Sequence, residues 1–268
     1  MKPSSIAKIT GRAYGRRFAV EVPESLADEA RSRLPFGWVP DDGPPERRWE
    51  AREWGDARWV AANSDVVLGE SPSAAVALDW LIADLEIWVA EHAEGLIFVH
   101  AGAVAWNGRA IVVPGSTLAG KSSLVSALVL AGATYYSDEY TVIGPDGMVR
   151  PYARMLSIRP TTGGLGRRMS VTELGGRAGT EPVPLALVAH LRYDASAGWA
   201  VEELTRGRTA LALVENTVPA QTRPVEMMDH LQAATEGVLG LSGTRGDADE
   251  AAERLLSLLD DAPAAPEC

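Results

Sequence analysis

The β-branched run Ile111-Val112-Val113 leads into Gly115-Ser-Thr-Leu-Ala-Gly120-Lys121-Ser122, and an apolar segment then continues to Gly132. This order constrains the fold more than any other feature of the chain. The eight residues satisfy G-x-x-x-x-G-K-[S/T], a loop whose glycines let successive backbone N–H groups turn inward on phosphate oxygens. So short a motif also occurs by chance, and its setting decides its meaning. A strand before the loop and a helix after it bring the amides and the partial positive charge of a helix N-terminus onto one anion. The candidate nucleotide-binding residues are Gly115, Ser116, Thr117, Leu118, Ala119, Gly120, Lys121, Ser122 and Ser123. In this arrangement Lys121 neutralises the β and γ phosphates of a nucleotide, and the Ser122 hydroxyl ligates Mg²⁺. Among 25 basic residues only Lys2, Lys8 and Lys121 are lysines, so a compact ammonium stands in the loop of a chain that otherwise uses arginine.

The surrounding pattern extends this unit. Gly95 to Trp106 is apolar with period-two character, Asn107-Gly108 is a hairpin signal, and Arg109 to Gly115 is the returning strand. Beyond the helix, "TYYSDEYTVIG" reads as a further strand carrying Asp138 and Glu139. Adjacent residues on a strand face opposite ways, so both acids reach one site only if the strand ends or bulges there. An unpartnered acid within an apolar strand costs roughly several kcal/mol, which Mg²⁺, Lys121 or a reacting hydroxyl would relieve. His100 lies on the apolar strand before the hairpin, where a histidine is ordinarily a satisfied core residue.

Residues 1–70 hold Trp38, Trp49, Trp54 and Trp59 among short extended segments and turn signals, which predicts a small antiparallel β subdomain. Its tryptophans are expected in packing. Trp49, Trp54 or Trp59 would line an exposed groove if the substrate were a peptide. Residues 71–260 form the expected main domain and 261–268 a disordered tail. Its first helix starts from a Ser71 or Ser73 cap and ends near Glu94-Gly95. Helical and extended patterns continue through 184–194 and 199–205, then a helix over 224–239 and a terminal helix over 247–260.

Formal charge is −11, with 11 Lys+Arg against 10 Asp+Glu in residues 1–60 and 14 against 26 in the remainder. A net acidic body without a basic stripe argues against nucleic acid as the partner. No run reaches the roughly 20 apolar residues of a membrane span, and no signal-type segment opens the chain, so a cytoplasmic protein without membrane contact is expected. Cys268 is the sole cysteine, which excludes an intrachain disulfide.

Taken together, residues 100–143, "HAGAVAWNGRAIVVPGSTLAGKSSLVSALVLAGATYYSDEYTVI", resemble the catalytic core of the HPr kinase/phosphorylase family and its shorter relatives. The likeness extends less strongly through "PYARMLSIRP" (151–160). The resemblance implies an α/β fold with a mixed sheet, the P-loop kinase core of the phosphoenolpyruvate-carboxykinase-like type, and Mg·ATP as phosphoryl donor. It also implies that Asp138 takes the proton from a hydroxyl, that Glu139 stands where the family usually has a second Asp and ligates metal with Ser122, that His100 acts near the phosphates, and that Arg159 meets a phosphate oxygen. Some shorter relatives are kinases of ribosomal-peptide maturation, so the implied acceptor is a Ser or Thr hydroxyl of a peptide or small protein. The family tends to assemble, which makes a homo-oligomer one of its implications. "TTGGLGRRMSVTELGG" (161–176) replaces the family's later signature with a Gly/Arg-rich loop, where Arg167 and Arg168 would contribute charge on closure. A small-molecule kinase and a non-catalytic nucleotide-binding module are the competing readings.

Overall fold

The computed structural model describes residues 5–55, 58–116, 119–158 and 167–261. The chain divides into two compact units, residues 1–94 and 95–268.

In the first unit, β1 (Ile6–Ala13) and β2 (Arg16–Pro23) make a hairpin across Tyr14 and Gly15, both at positive φ, as a two-residue turn of this hand requires. After α1 (Ala27–Arg33) come β3 (Val39–Pro40), β4 (Arg47–Trp54), β5 (Arg58–Asn63) and β6 (Val67–Ser71), giving the sheet order β3-β1-β2-β4-β5-β6. The sheet is mixed, not wholly antiparallel as the sequence suggests, because β2 and β4 pair in parallel. The segment between them, which contains α1, is long enough for the crossover that parallel pairing needs. The amphipathic helix α2 (Ala74–His92) sets Leu78, Leu81, Leu85 and Trp88 into one core with Phe18, Val20, Val22 and Trp49. The unit boundary therefore follows this helix, whereas the sequence reading drew it at residue 70. Trp49 is 1% exposed and belongs to the core, which removes it from any groove. Its indole N–H donates to Asp84 Oδ2 at 2.7 Å, and its ring meets Trp88 edge-on. Trp54 is exposed beneath the Arg52 guanidinium, and Trp59 is partly buried.

The second unit is built on β7 (Ile97–Trp106) and β8 (Arg109–Pro114), joined across Asn107 and Gly108 at positive φ as the hairpin signal requires. Next come α3 (Lys121–Leu130), β9 (Thr134–Ser137), β10 (Tyr140–Ile143), β11 (Met148–Arg150), and the small pair β12 (Leu156–Ile158) and β13 (Arg167–Met169). The chain ends with β14 (Val183–Tyr193), β15 (Ala200–Leu204), α4 (Arg206–Val214), α5 (Pro224–Ala234), β16 (Leu239–Arg245) and α6 (Ala248–Asp261). The sheet runs β11-β10-β7-β8-β14-β16-β15, with β9 also on β7; β8, β14 and β16 are mutually parallel and the remaining pairs antiparallel. Alternation assigns its faces. Val104, Ile111, Val113, Leu187, Ala189, Leu191 and Leu241 pack with α3 and α6, while Ile97, Val99, Ala101, Val112 and Val188 face α4 and α5.

Two elements differ from expectation. The helix over 224–239 stops at Ala234, and Leu239–Arg245 is a strand between parallel β14 and antiparallel β15. Its glycines and serine carry little β-propensity, and burial between two neighbours decides its conformation. Helix α4 lies where no element was expected. The strand expected over 134–144 is broken after Ser137. Of the expected tail over 261–268, Asp261 still belongs to α6, and residues 262–268 lie outside the described residues. Among the described residues no helix is long and apolar enough to cross a membrane.

Candidate active site

Register places the site. On one side β7 pairs with β8, Ala101 opposite Pro114 and Gly102 opposite Val113, so the chain leaves the sheet into the glycine loop beside His100 and Ala101. On the other side β7 pairs first with β9, up to Ala103 opposite Ser137, and then with β10 from His100 opposite Tyr140. The break between β9 and β10 falls on Asp138-Glu139. Two adjacent acids therefore escape strand alternation, and they stand level with the loop entry across a single strand.

The break is held locally. Ser137 Oγ accepts from the amides of Glu139 (3.1 Å) and Tyr140 (3.0 Å), and the Ala101 amide donates to Glu139 O. Opposite it Gly102 has no side chain, and a Cβ there would come within 2.5 Å of Val125 Cγ2. This missing atom lets α3 lie close on β7.

The loop closes onto the helix through Gly120, whose φ of 85° is a left-handed value that favours glycine. Gly120 O accepts the first helical bond from the Leu124 amide and a second bond from Arg245 Nη2 at 2.8 Å. The Lys121 ammonium uses all three donors, two on the loop and one on β7: 2.7 Å to Gly115 O, 2.9 Å to Ser116 O and 3.1 Å to His100 Nε2. A Cβ on Gly115 would intrude on this space, 3.2 Å from Ala119 Cβ and 3.9 Å from Lys121 Cγ. The Ser122 hydroxyl, part exposed at the first turn, has no hydrogen-bond partner among the described residues. The cradle, the ammonium and the open hydroxyl fit a phosphate chain with Mg²⁺. Ser123 is exposed at the same turn.

Charges in the site are coupled. Burial first, and the Lys121 charge second, hold His100 down at about 4, so its imidazole is neutral near pH 7. Its Nε2 then accepts from Lys121, and its Nδ1–H faces Glu139 Oε1 at 3.6 Å. Burial lowers the Lys121 ammonium while Glu139 and then Asp138 pull it back up. Burial and the neighbouring Asp138 raise the Glu139 carboxyl, against Lys121 and Arg154. Asp138 is 5% exposed and accepts a 2.9 Å hydrogen bond on Oδ1 from the buried Tyr135 hydroxyl, whereas Glu139 keeps half its side chain in solvent.

The structure thus brings together His100, Gly115, Ser116, Ala119, Gly120, Lys121, Ser122, Asp138 and Glu139. Thr117, Leu118 and Arg159 lie outside the described residues. The backbones of Arg167 and Arg168 form strand β13 opposite Ser157 and Ile158, in a region expected to be loop. Tyr135, Arg154, Tyr193 and Arg245 were not anticipated: register brings Tyr135, Tyr193 and Arg245 to the site, and Arg154 acts on Glu139 from the segment between β11 and β12. Among the described residues no group of three or more His, Cys, Asp or Glu gathers as a metal cluster.

No protein-family model matches the chain. No curated protein is similar to it. Among solved structures the HPr(Ser) kinase/phosphatase from Coxiella burnetii is similar at 12% identity, covering 61% of this chain and 94% of its own, with a TM-score of 0.31. So loose a superposition sets no residue of one chain upon a residue of the other.

Proposed function

We propose that the protein is a Mg·ATP-dependent kinase that phosphorylates a Ser or Thr hydroxyl of a peptide or small protein. The observation that carries this reading is a lysine ammonium seated in a glycine loop at a helix start, with two carboxylates level with it across one strand. ATP with Mg²⁺ would supply the phosphoryl group and neutralise part of the charge on its phosphates. Everything else falls to this chain. On nucleotide entry Lys121 exchanges the Gly115 and Ser116 carbonyls for phosphate oxygens, which relieves the cost of its burial. The loop amides and the Ser122 hydroxyl complete the cradle. Neutral His100 accepts from Lys121 and so aims the ammonium without adding a second positive charge.

The two acids divide the remaining work. Their geometry favours Glu139 as the group that accepts the hydroxyl proton: it is half exposed, and its raised carboxyl is closer to the range a general base needs. Asp138, buried and held by Tyr135, is then the fixed charge that would help Ser122 hold the metal. This reverses the division that the family resemblance implies. An acid reached from solvent also suits an acceptor carried on a large molecule.

Single-turnover incubation with γ-labelled ATP and a set of Ser- and Thr-containing peptides tests the reading. Label on peptide is expected. Glu139→Gln is expected to lower transfer by about 10²–10⁴ at unchanged ATP affinity, and Asp138→Asn to raise the Mg²⁺ requirement. ATP binding without transfer to any acceptor leaves a nucleotide-binding module instead.

A further inference from the structure

The strands β14 and β16 end together at the loop, with Tyr193 directly opposite Arg245. Both continue the face that carries Leu187, Ala189, Leu191 and Leu241 against α3 and α6, so both side chains lie on the helix side at the C-terminal lip of the parallel strands. Arg245 is 2% exposed. Its guanidinium donates to Gly120 O at 2.8 Å and to Gly246 O at 2.9 Å, and lies under the Tyr193 ring at 5.4 Å. Among the described residues no carboxylate pairs with it. A buried cation hydrogen-bonded to two carbonyls, faced by a ring and attracted by Asp247 from beyond ion-pair distance is a costly way to fill space, and it fixes the loop's last glycine to the end of β16. Tyr193 seals this cation from solvent and yet stays 51% exposed. The open part of its ring is therefore the side away from the guanidinium. The base of the Tyr193 side chain also abuts the loop: a Cβ on Gly120 would lie 3.1 Å from Tyr193 Cβ.

We infer that the open face of Tyr193 is the stacking platform for the base of the nucleotide whose phosphates the 115–122 loop holds, with Arg245 as the positioning residue that locks platform and loop together. This rests on the nucleotide reading above. The recognised chemistry is a flat aromatic base joined to a phosphate chain. A ring face tolerates any purine, so the site is expected to distinguish a nucleotide from bare triphosphate more sharply than ATP from GTP. The guanidinium on the far side draws electron density from the ring, which favours stacking of an electron-rich purine on the near side.

The test compares two probes, Mg·ATP and Mg·triphosphate, by calorimetry on the wild type and on Tyr193→Ala, a change at a half-exposed position that the fold should tolerate. The wild type is expected to bind ATP more tightly than triphosphate by about tenfold or more, the size of one base–aromatic stack. In Tyr193→Ala that ratio is expected to fall towards one, with triphosphate affinity much less affected. An ATP-to-triphosphate ratio unchanged by Tyr193→Ala overturns the platform and leaves the nucleotide reading intact. If neither probe binds the wild type, the nucleotide reading itself fails and the platform with it. Arg245→Met gives a separate check on the lock: it is expected to weaken both probes, whereas loss of ATP binding alone would show that Arg245 serves only the ring.

Discussion

Lys121 Nζ lies 3.1 Å from His100 Nε2, which makes a histidine the hydrogen-bond acceptor of a buried cation. The contact requires neutral imidazole, and burial together with that cation hold His100 at about 4, against 6.5 for a free side chain. Between these values the unfolded chain binds a proton that the folded one refuses. The stabilisation is therefore complete above pH 6.5 and is lost as pH falls from 6.5 towards 4, by up to about 3 kcal/mol. Glu139, whose carboxyl is raised, titrates in the opposite sense, so the comparison must be made by subtraction. Urea unfolding at pH 7 and pH 4.5 should show a steeper loss in the wild type than in His100→Gln. Equal slopes would mean that the imidazole is not held neutral.

Tyr135 and Asp138 form the site's other buried pair. The phenol is fully enclosed and donates to Asp138 Oδ1, while burial and the aspartate push its pKa up and keep it neutral. Tyr135→Phe keeps the ring and removes the donor. A buried carboxylate that loses a hydrogen bond costs about 1–3 kcal/mol. Chemical denaturation at neutral pH should register this cost, and transfer should slow as Asp138 loses its fixed orientation. A variant as stable and as active as the parent would place the Asp138 charge elsewhere.

The loop and its flanks were legible because each depends on local chemistry: β-branched residues before Gly115, an Asn-Gly turn at 107–108, apolar residues after Lys121. The acid pair was legible as a conflict. Two charges in an apolar strand made sense only if the strand stopped, and it does stop, at Ser137. Arg245 and Tyr193 were invisible for the opposite reason. They lie 52 residues apart and far from the loop in sequence, and only parallel pairing of β14 with β16 makes them neighbours. The glycine-rich strand Leu239–Arg245 was hidden for the same cause, since burial between partners outweighs its own weak preference.

Trp49 tests the separate core of the first unit. It is enclosed by Trp88 and donates to Asp84, which also accepts from Asn63 at 2.8 Å. Trp49→Ala opens a cavity and removes one of those two donors, at a cost of about 3–5 kcal/mol. Equilibrium unfolding followed by far-ultraviolet circular dichroism is the measurement. A cost below about 1 kcal/mol would show that the indole is a surface group after all.

Gly120 concentrates two constraints that can be measured apart. Its φ of 85° costs an alanine about 1–2 kcal/mol in backbone strain wherever it occurs. The new Cβ would in addition lie 2.8 Å from Arg245 Nη2 and 3.1 Å from Tyr193 Cβ, and Arg245 is too enclosed to swing away. Gly237, at φ 69° in the same unit, has nothing within 4 Å of the corresponding position, so Gly237→Ala carries the strain without the crowding. Thermal unfolding should therefore show Gly120→Ala as the less stable of the two by about 1–3 kcal/mol, the ordinary cost of overpacking. Bound nucleotide separates them further. At about a hundredfold over Kd, Mg·ATP should stabilise the Gly237→Ala protein by about 2.7 kcal/mol, as it does any state that binds only when folded. Gly120→Ala turns the Lys121 and Ser122 amides from their common focus and should gain much less under the same conditions. Equal stability and an equal nucleotide-induced shift in the two proteins would mean that Arg245 does not grip the loop at Gly120.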